Sequence, residues 1–319
     1  MAARHGVRVW IALVTVYVVW GSTFVALAVA VRELPPFLAV TIRHLVAGGI
    51  LLAFALRLRP PDPSDRIGSR QIGAAFVFGG LLFLVSHGGL AWAQQTVPAG
   101  LAALLAGSIP IWMALLDRLF FGRTLPVSAY AGFVVGFVGL VFLFDPFGEG
   151  SVDRLGALVI LVGALSWAAG SLYARTASLP RRPFVSAGLG SLCGGVLLLA
   201  VSVARGEFGE AQWTWDGTFA VAYLIVAGSL VGFSAYVWLL RAAPTSLVAT
   251  YAYVNPVVAV VLGWALLDER ITVQMLVAGA AVLVSVALVV QASGTPLERG
   301  RGLLRRRGLD RVAGPETMR

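Results

Sequence analysis

No lysine occurs in this chain of 319 residues, cysteine occurs once, histidine three times, and no aspartate or glutamate lies deep in any apolar run. Each scarcity removes a class of chemistry. With Cys193 alone in an apolar run, no disulfide or cysteine-based metal site can form within one chain. Without lysine there is no Gly-x-x-x-x-Gly-Lys-Ser/Thr phosphate loop. Three histidines, with His5 close to the N-terminus, leave no His-Glu-x-x-His constellation, so no metal, no cofactor and no enzymatic hydrolysis are expected. Charge is scarce as well: 12% of residues are charged and 59% are hydrophobic, against about 25% charged in a soluble domain. The apolar residues come in long blocks that one soluble core of this size could not bury, so lipid is the solvent. A formal charge of +9 suggests nucleic acid at first sight. The arginines, however, sit between apolar blocks and in the tail from Arg299 to Arg319. There they orient a membrane protein and attract anionic lipid headgroups, and nucleic acid is not expected as a partner.

A spanning helix needs about 20 mostly apolar residues. Ten stretches qualify, at 9–31, 37–56, 72–93, 99–120, 126–144, 155–175, 184–204, 217–240, 246–267 and 272–291. The fold class is therefore all-α integral membrane with ten transmembrane helices. The first stretch is too long for the core of a secretory signal and reads as a retained helix. With the N-terminus inside, nineteen arginines fall on the cytoplasmic side and four (Arg32, Arg154, Arg205 and Arg270) on the other, leaving aside Arg43 within a span. By the positive-inside rule both termini are cytoplasmic. The polar, Gly- and Arg-rich segment 294–319 is expected to be a disordered cytoplasmic tail.

The chain also resembles itself. Trp20 recurs as Trp167 and Gly132 as Gly279 at a shift of 147, and Trp92 recurs as Trp238, Pro98 as Pro244 and Pro110 as Pro256 at a shift of 146. Residues 1–150 and 151–293 thus read as two repeats of five helices each. An odd number of spans makes the second repeat enter the membrane from the opposite side, and inverted repeats around a midplane site are a recurring transporter architecture.

Several of these residues carry a resemblance. Val19-Trp20-Gly21-Ser22-Thr23-Phe24, Arg43, Pro110 with Gly122, and Asn255-Pro256 followed by Leu267-Asp268-Glu269-Arg270 are similar to the pattern of the drug/metabolite transporter superfamily, specifically its ten-helix EamA-type members. The resemblance covers about Trp10 to Gln291. It implies a basket of helices around a central cavity in a bacterial inner membrane, exporting amino acids or similar small metabolites by alternating access. One departure is Arg123, where the family has a glutamate that survives in the second repeat as Glu269. The superfamily's four-helix multidrug members use a first-helix glutamate for proton exchange; helix one here has none, which argues against that mechanism and against cationic drugs.

Polar residues inside a membrane are costly and face the protein interior. Two readings of Arg43, near the outer end of helix two beside His44, stand: a structural arginine that caps helices or touches headgroups, or a contact for a substrate anion. His87, mid-span with Phe233 as its repeat counterpart, either bonds a backbone carbonyl or faces a cavity as the deep titratable group. Trp20, Phe24, Trp167, Tyr236 and Tyr251 are aromatic candidates for substrate contact, whereas Trp10, Trp213 and Trp215 are explained by the membrane interface. Tyr251 and Asn255 share a helix face beside Pro256, which removes a backbone hydrogen bond. The expected substrate-binding set is Trp20, Phe24, His87, Trp167, Tyr236, Tyr251 and Asn255, with Arg43, Pro110, Pro256 and Glu269 structural or gating. Gly132, Gly136 and Gly139 allow close helix approach, within the chain or in a homodimer. The alternatives to a transporter are a non-transporting sensor or assembly partner and an intramembrane enzyme.

Overall fold

A computed structural model describes residues 2–58, 67–122, 125–143 and 153–309, with backbone alone at 2–5, 245–246 and 292–309. Arg123, Asp145 and the chain beyond Leu309 lie outside the described residues. Helix accounts for nearly all of it, and no strand occurs among the described residues.

The helices follow the apolar stretches. They are α1 (Ala2–Glu33), α2 (Pro36–Leu58), α3 (Ser69–Ala93), α4 (Ala99–Phe121), α5 (Val127–Leu143), α6 (Arg154–Thr176), α7 (Pro183–Ala204), α8 (Trp215–Ala242), α9 (Tyr251–Leu267) and α10 (Val273–Leu309). Eight are long and apolar enough to cross a membrane, and α5 and α9 are shorter apolar helices. At 17 residues each, these two reach about 26 Å at 1.5 Å per residue, the low end of what a bilayer core needs. The last helix runs on to Leu309, into the segment whose composition suggested disorder; its Leu- and Arg-rich stretch is compatible with helix.

Three helices are not plain α-helix. The middles of α3 and α8 wind as nine-residue π-helices, Gly80–Gly88 and Leu224–Gly232. A π turn frees backbone carbonyls from the α ladder, so another donor must claim them. Two side chains do so: Ser166 on α6 donates to the Leu81 carbonyl at 2.8 Å, and Trp20 on α1 donates through Nε1 to the Gly228 carbonyl at 3.1 Å. The third helix, α4, is broken at Gly107–Ser108, where Pro110 opens the following piece. Pro256 fills that notch: a Cβ added at Gly107 would sit 3.3 Å from its Cγ.

The most extensive pairings are α2 with α7 and α5 with α10. Both rest on missing side chains. Gly48 and Gly188 bring the α2 and α7 backbones together, and Gly132, Gly136 and Gly139 lie against Ser285, Leu288 and Ala281 of α10. The glycine face of α5 is therefore used within the chain.

Candidate functional site

Two clusters form where the π segments face their neighbours. In the first, the π winding of α3 turns Phe83 and His87 toward α2. His44 Nε2 lies 2.9 Å from His87 Nδ1, and His44 Nδ1 lies 3.1 Å from Ser191 Oγ on α7. Ser191 in turn donates to the His44 carbonyl at 3.1 Å. With the serine proton so placed, Oγ accepts from His44 Nδ1–H, which makes His44 Nε2 an acceptor and puts a proton on His87 Nδ1. The neutral chain leaves His87 Nε2 a bare acceptor. Trp167 stacks on the His87 ring at 5.2 Å and 29°, and Phe83 lies 4.4 Å from the His44 ring.

The second cluster is aromatic. Trp20 packs on Tyr236 and Tyr251, each at 5.1 Å between centroids, and the two tyrosines meet edge-on at 5.8 Å. Gly232 permits this, because a Cβ there would lie 2.5 Å from Trp20 Nε1. Tyr17 hydroxyl bonds to Thr250 on the same side. Arg43 stands between the clusters. Its Nε donates to Ser229 Oγ at 3.1 Å, and its Nη2 lies 3.4 Å from the place a Gly228 Cβ would take.

The sequence-derived set divides accordingly. His87 and Trp167 fall in the first cluster, and Trp20, Tyr236 and Tyr251 in the second. Trp20 and Trp167, equivalent by repeat, take different partners. Two candidates lie apart from these clusters, and one expectation needs correction. Phe24 joins neither cluster, since its ring packs beside Val25, Ala28 and Ala99. Asn255 is buried and already used: with the amide turned to pair donors with acceptors, its nitrogen faces the carbonyls of Tyr17 at 3.2 Å and Tyr251 at 3.1 Å. Arg43 and His44 do not reach for headgroups, being only 8% and 3% exposed. Trp10, Trp213 and Trp215 are exposed. The aromatic candidates pack ring on ring, and a cavity of about 710 Å³ lies to the side, between α1, α2 and α8, lined by Ile11, Leu51, Phe54, Leu230 and Trp238 with Arg8 among them.

Glu269 is a helix cap. Asp268 adopts a left-handed conformation with φ of 54°, and Glu269 N–H bonds back to the Gly263 carbonyl at 3.2 Å, which closes the C-terminal end of α9. Gly263 leaves room for the returning carboxylate, which accepts from the Ala99 and Gly100 amides at 2.5 and 2.9 Å at the start of α4. Glu207, which sequence reasoning passed over, does the same for α2: it is 3% exposed and accepts from Leu38 N at 2.7 Å and Phe37 N at 3.4 Å. Its signal was a lone acid one residue from Gly206 and two from Arg205, which lies 3.5 Å away. Asp153 caps α6, accepting from Leu155 and Gly156 amides and from the Thr96 hydroxyl. The Thr96 bond first, then the Gly156 amide, hold its carboxyl below the usual range. Among the described residues, no three His, Cys, Asp or Glu side chains converge as a metal site.

Comparison with known proteins agrees with this architecture. The EamA-like transporter family model matches twice, over residues 8–145 and 154–291. The chain is 36% identical over 266 residues to the uncharacterized inner membrane transporter YedA of Escherichia coli, covering 82% of this chain and 83% of that one. It is 24% identical to the uncharacterized transporter YoaV of Bacillus subtilis, over 85% and 92% of the two chains. A chloroplastic WAT1-related protein of Arabidopsis thaliana is 27% identical over 88% of this chain and 69% of its own. One crystal structure superposes with a TM-score of 0.60 at 19% identity, covering 91% of this chain and 99% of that one, and so shares the fold. The chain belongs to the EamA-like transporter family of the drug/metabolite transporter superfamily.

Proposed function

We propose that the protein exports amino acids or similar small metabolites across the bacterial inner membrane by alternating access, with ten spans arranged as two inverted repeats and both termini in the cytoplasm. The observation that carries this reading is the pair of π segments. They occur in the third helix of each half, offset by two residues at the shift of 146 that relates Trp92 to Trp238, and each faces the other half's first helix through one side-chain bond. Strained backbone of this kind inside a membrane is tolerated where it lines a site.

The helix pairings support the repeat. Exchanging each helix for its counterpart five places on leaves them unchanged: α2 with α7, α5 with α10, α4 with α9, and α1 against α8 and α9 as α6 is against α3 and α4. His44 and Ser191, which bond each other, are themselves counterparts at a shift of 147. Membrane location and inward termini rest on the apolar helices, the arginine distribution and the names of the relatives. The protein acts as a monomer or homodimer, and it is not an enzyme.

Counterflow into proteoliposomes across a panel of amino acids, purines and sugars tests the reading. Saturable uptake of at least one compound is expected. Folded protein that carries none favours the sensor or the intramembrane enzyme instead.

A further inference from the structure

Arg43 carries a charge that the described part of the protein does not balance. It lies seven residues inside α2, about 10 Å along the helix from its start, and is only 8% exposed. A guanidinium does not give up its proton under any ordinary condition, and a buried cation without a partner is strongly unfavourable. Its one hydrogen bond, from Nε, goes to the neutral Ser229 hydroxyl. Nη1 and Nη2 bond no described residue, and no carboxylate among the described residues pairs with them.

A structural arginine would turn these nitrogens onto the backbone carbonyls that the neighbouring π segment frees. The nearby Gly228 carbonyl is instead taken by Trp20 Nε1, although Arg43 Nη2 lies beside that same glycine. With no side chain at Gly228, the Thr23 methyl packs there, 2.8 Å from where a Cβ would sit, with Arg43 Nη2 next at 3.4 Å. One residue further along α2, the His44–His87 chain ends in a bare Nε2 acceptor under Trp167. Through the adjacent α2 residues Arg43 and His44, a forked cation and the His87 acceptor under Trp167 thus occupy neighbouring positions, and no carboxylate among the described residues balances the cation.

We propose that Arg43 binds the carboxylate of the transported substrate through Nη1 and Nη2, and that His87 Nε2 accepts from an N–H or O–H on the adjacent carbon. The substrate class is a 2-amino or 2-hydroxy carboxylate, whose charge completes the site each time it enters. This rests on the transporter reading above. Planar, two-pronged recognition suits a guanidinium and a carboxylate.

Counterflow in proteoliposomes with matched probes tests it without any variant: L-threonine against L-threoninamide, L-phenylalanine against L-phenylalaninamide, and L-lactate against L-lactamide. Uptake of at least one acid with little of its amide is expected, and Arg43→Gln should lower that uptake roughly tenfold or more. Arg43→Lys, which keeps the charge without the fork, should retain part of it. Equal uptake of acid and amide, or full activity in folded Arg43→Gln, overturns the carboxylate assignment and leaves the transporter reading standing. Uptake of neither class contradicts both. Chloride uptake that disappears in Arg43→Gln, with no carboxylate carried, marks an inorganic-anion site and also overturns the proposal.

Discussion

Single residues set how closely the helices can meet, and the tightest case is Gly232. Trp20 is fixed by its bond to the Gly228 carbonyl and by two tyrosine rings, so it cannot retreat from a new methyl group. Gly232→Ala should therefore cost about 1–3 kcal/mol as overpacking, seen as a lower melting temperature in detergent, with loss of uptake beyond what stability explains. Asp153 makes a separate prediction. Its folded pKa is depressed, so its contribution to stability is present above the ordinary carboxylate value of about 4 and is lost as the pH falls through the folded value. Between neutral and acid pH, wild type should lose melting temperature more steeply than Asp153→Asn; parallel profiles would show that the cap contributes nothing. At this scale the sequence was half legible. Trp20, His87 and Trp167 stood out as polar or aromatic groups with no interfacial explanation. Asn255 looked equally good, but its amide is consumed by two carbonyls that no sequence pattern places near it.

Helices carry the second part of the account. Hydropathy located the apolar blocks because each needs only length and composition. It could not locate the π segments, since a π turn depends on which donor across the bundle claims the freed carbonyl. The Gly79-Gly80 and Gly88-Gly89 pairs that flank the first segment were the available hint. Helix starts were misjudged in another way. Glu269 was read from the family pattern, whereas Glu207, which performs the same capping on α2, had no motif around it. Both satisfy amides that face no other partner at a helix start. Glu207→Ala and Glu269→Ala should each cost about 1–2 kcal/mol, and because they cap different helices the losses should add. Thermal unfolding of the two single variants and the double variant checks this. A double variant no worse than either single one would mean that the two caps act as one unit.

For the whole molecule, the pairing of α2 with α7 and α5 with α10 places two glycine-rich seams across the junction of the halves. Such seams let backbones slide at close range with little side-chain interlock, which suits halves that rock against each other. The proposed repeat rests on five recurring residues, and the proposed orientation on the arginine count. The central chamber implied by the family was not something composition could supply, and here the aromatic candidates close on one another beside the cavity between α1, α2 and α8. The most direct measurement is labelling of a cysteine at Ser229, in a Cys193→Ala background, by a membrane-impermeant maleimide applied to either face of oriented vesicles. Reaction from both faces, slowed by a transported carboxylate, is the predicted result. Reaction from one face only, whatever substrate is present, would contradict alternating access.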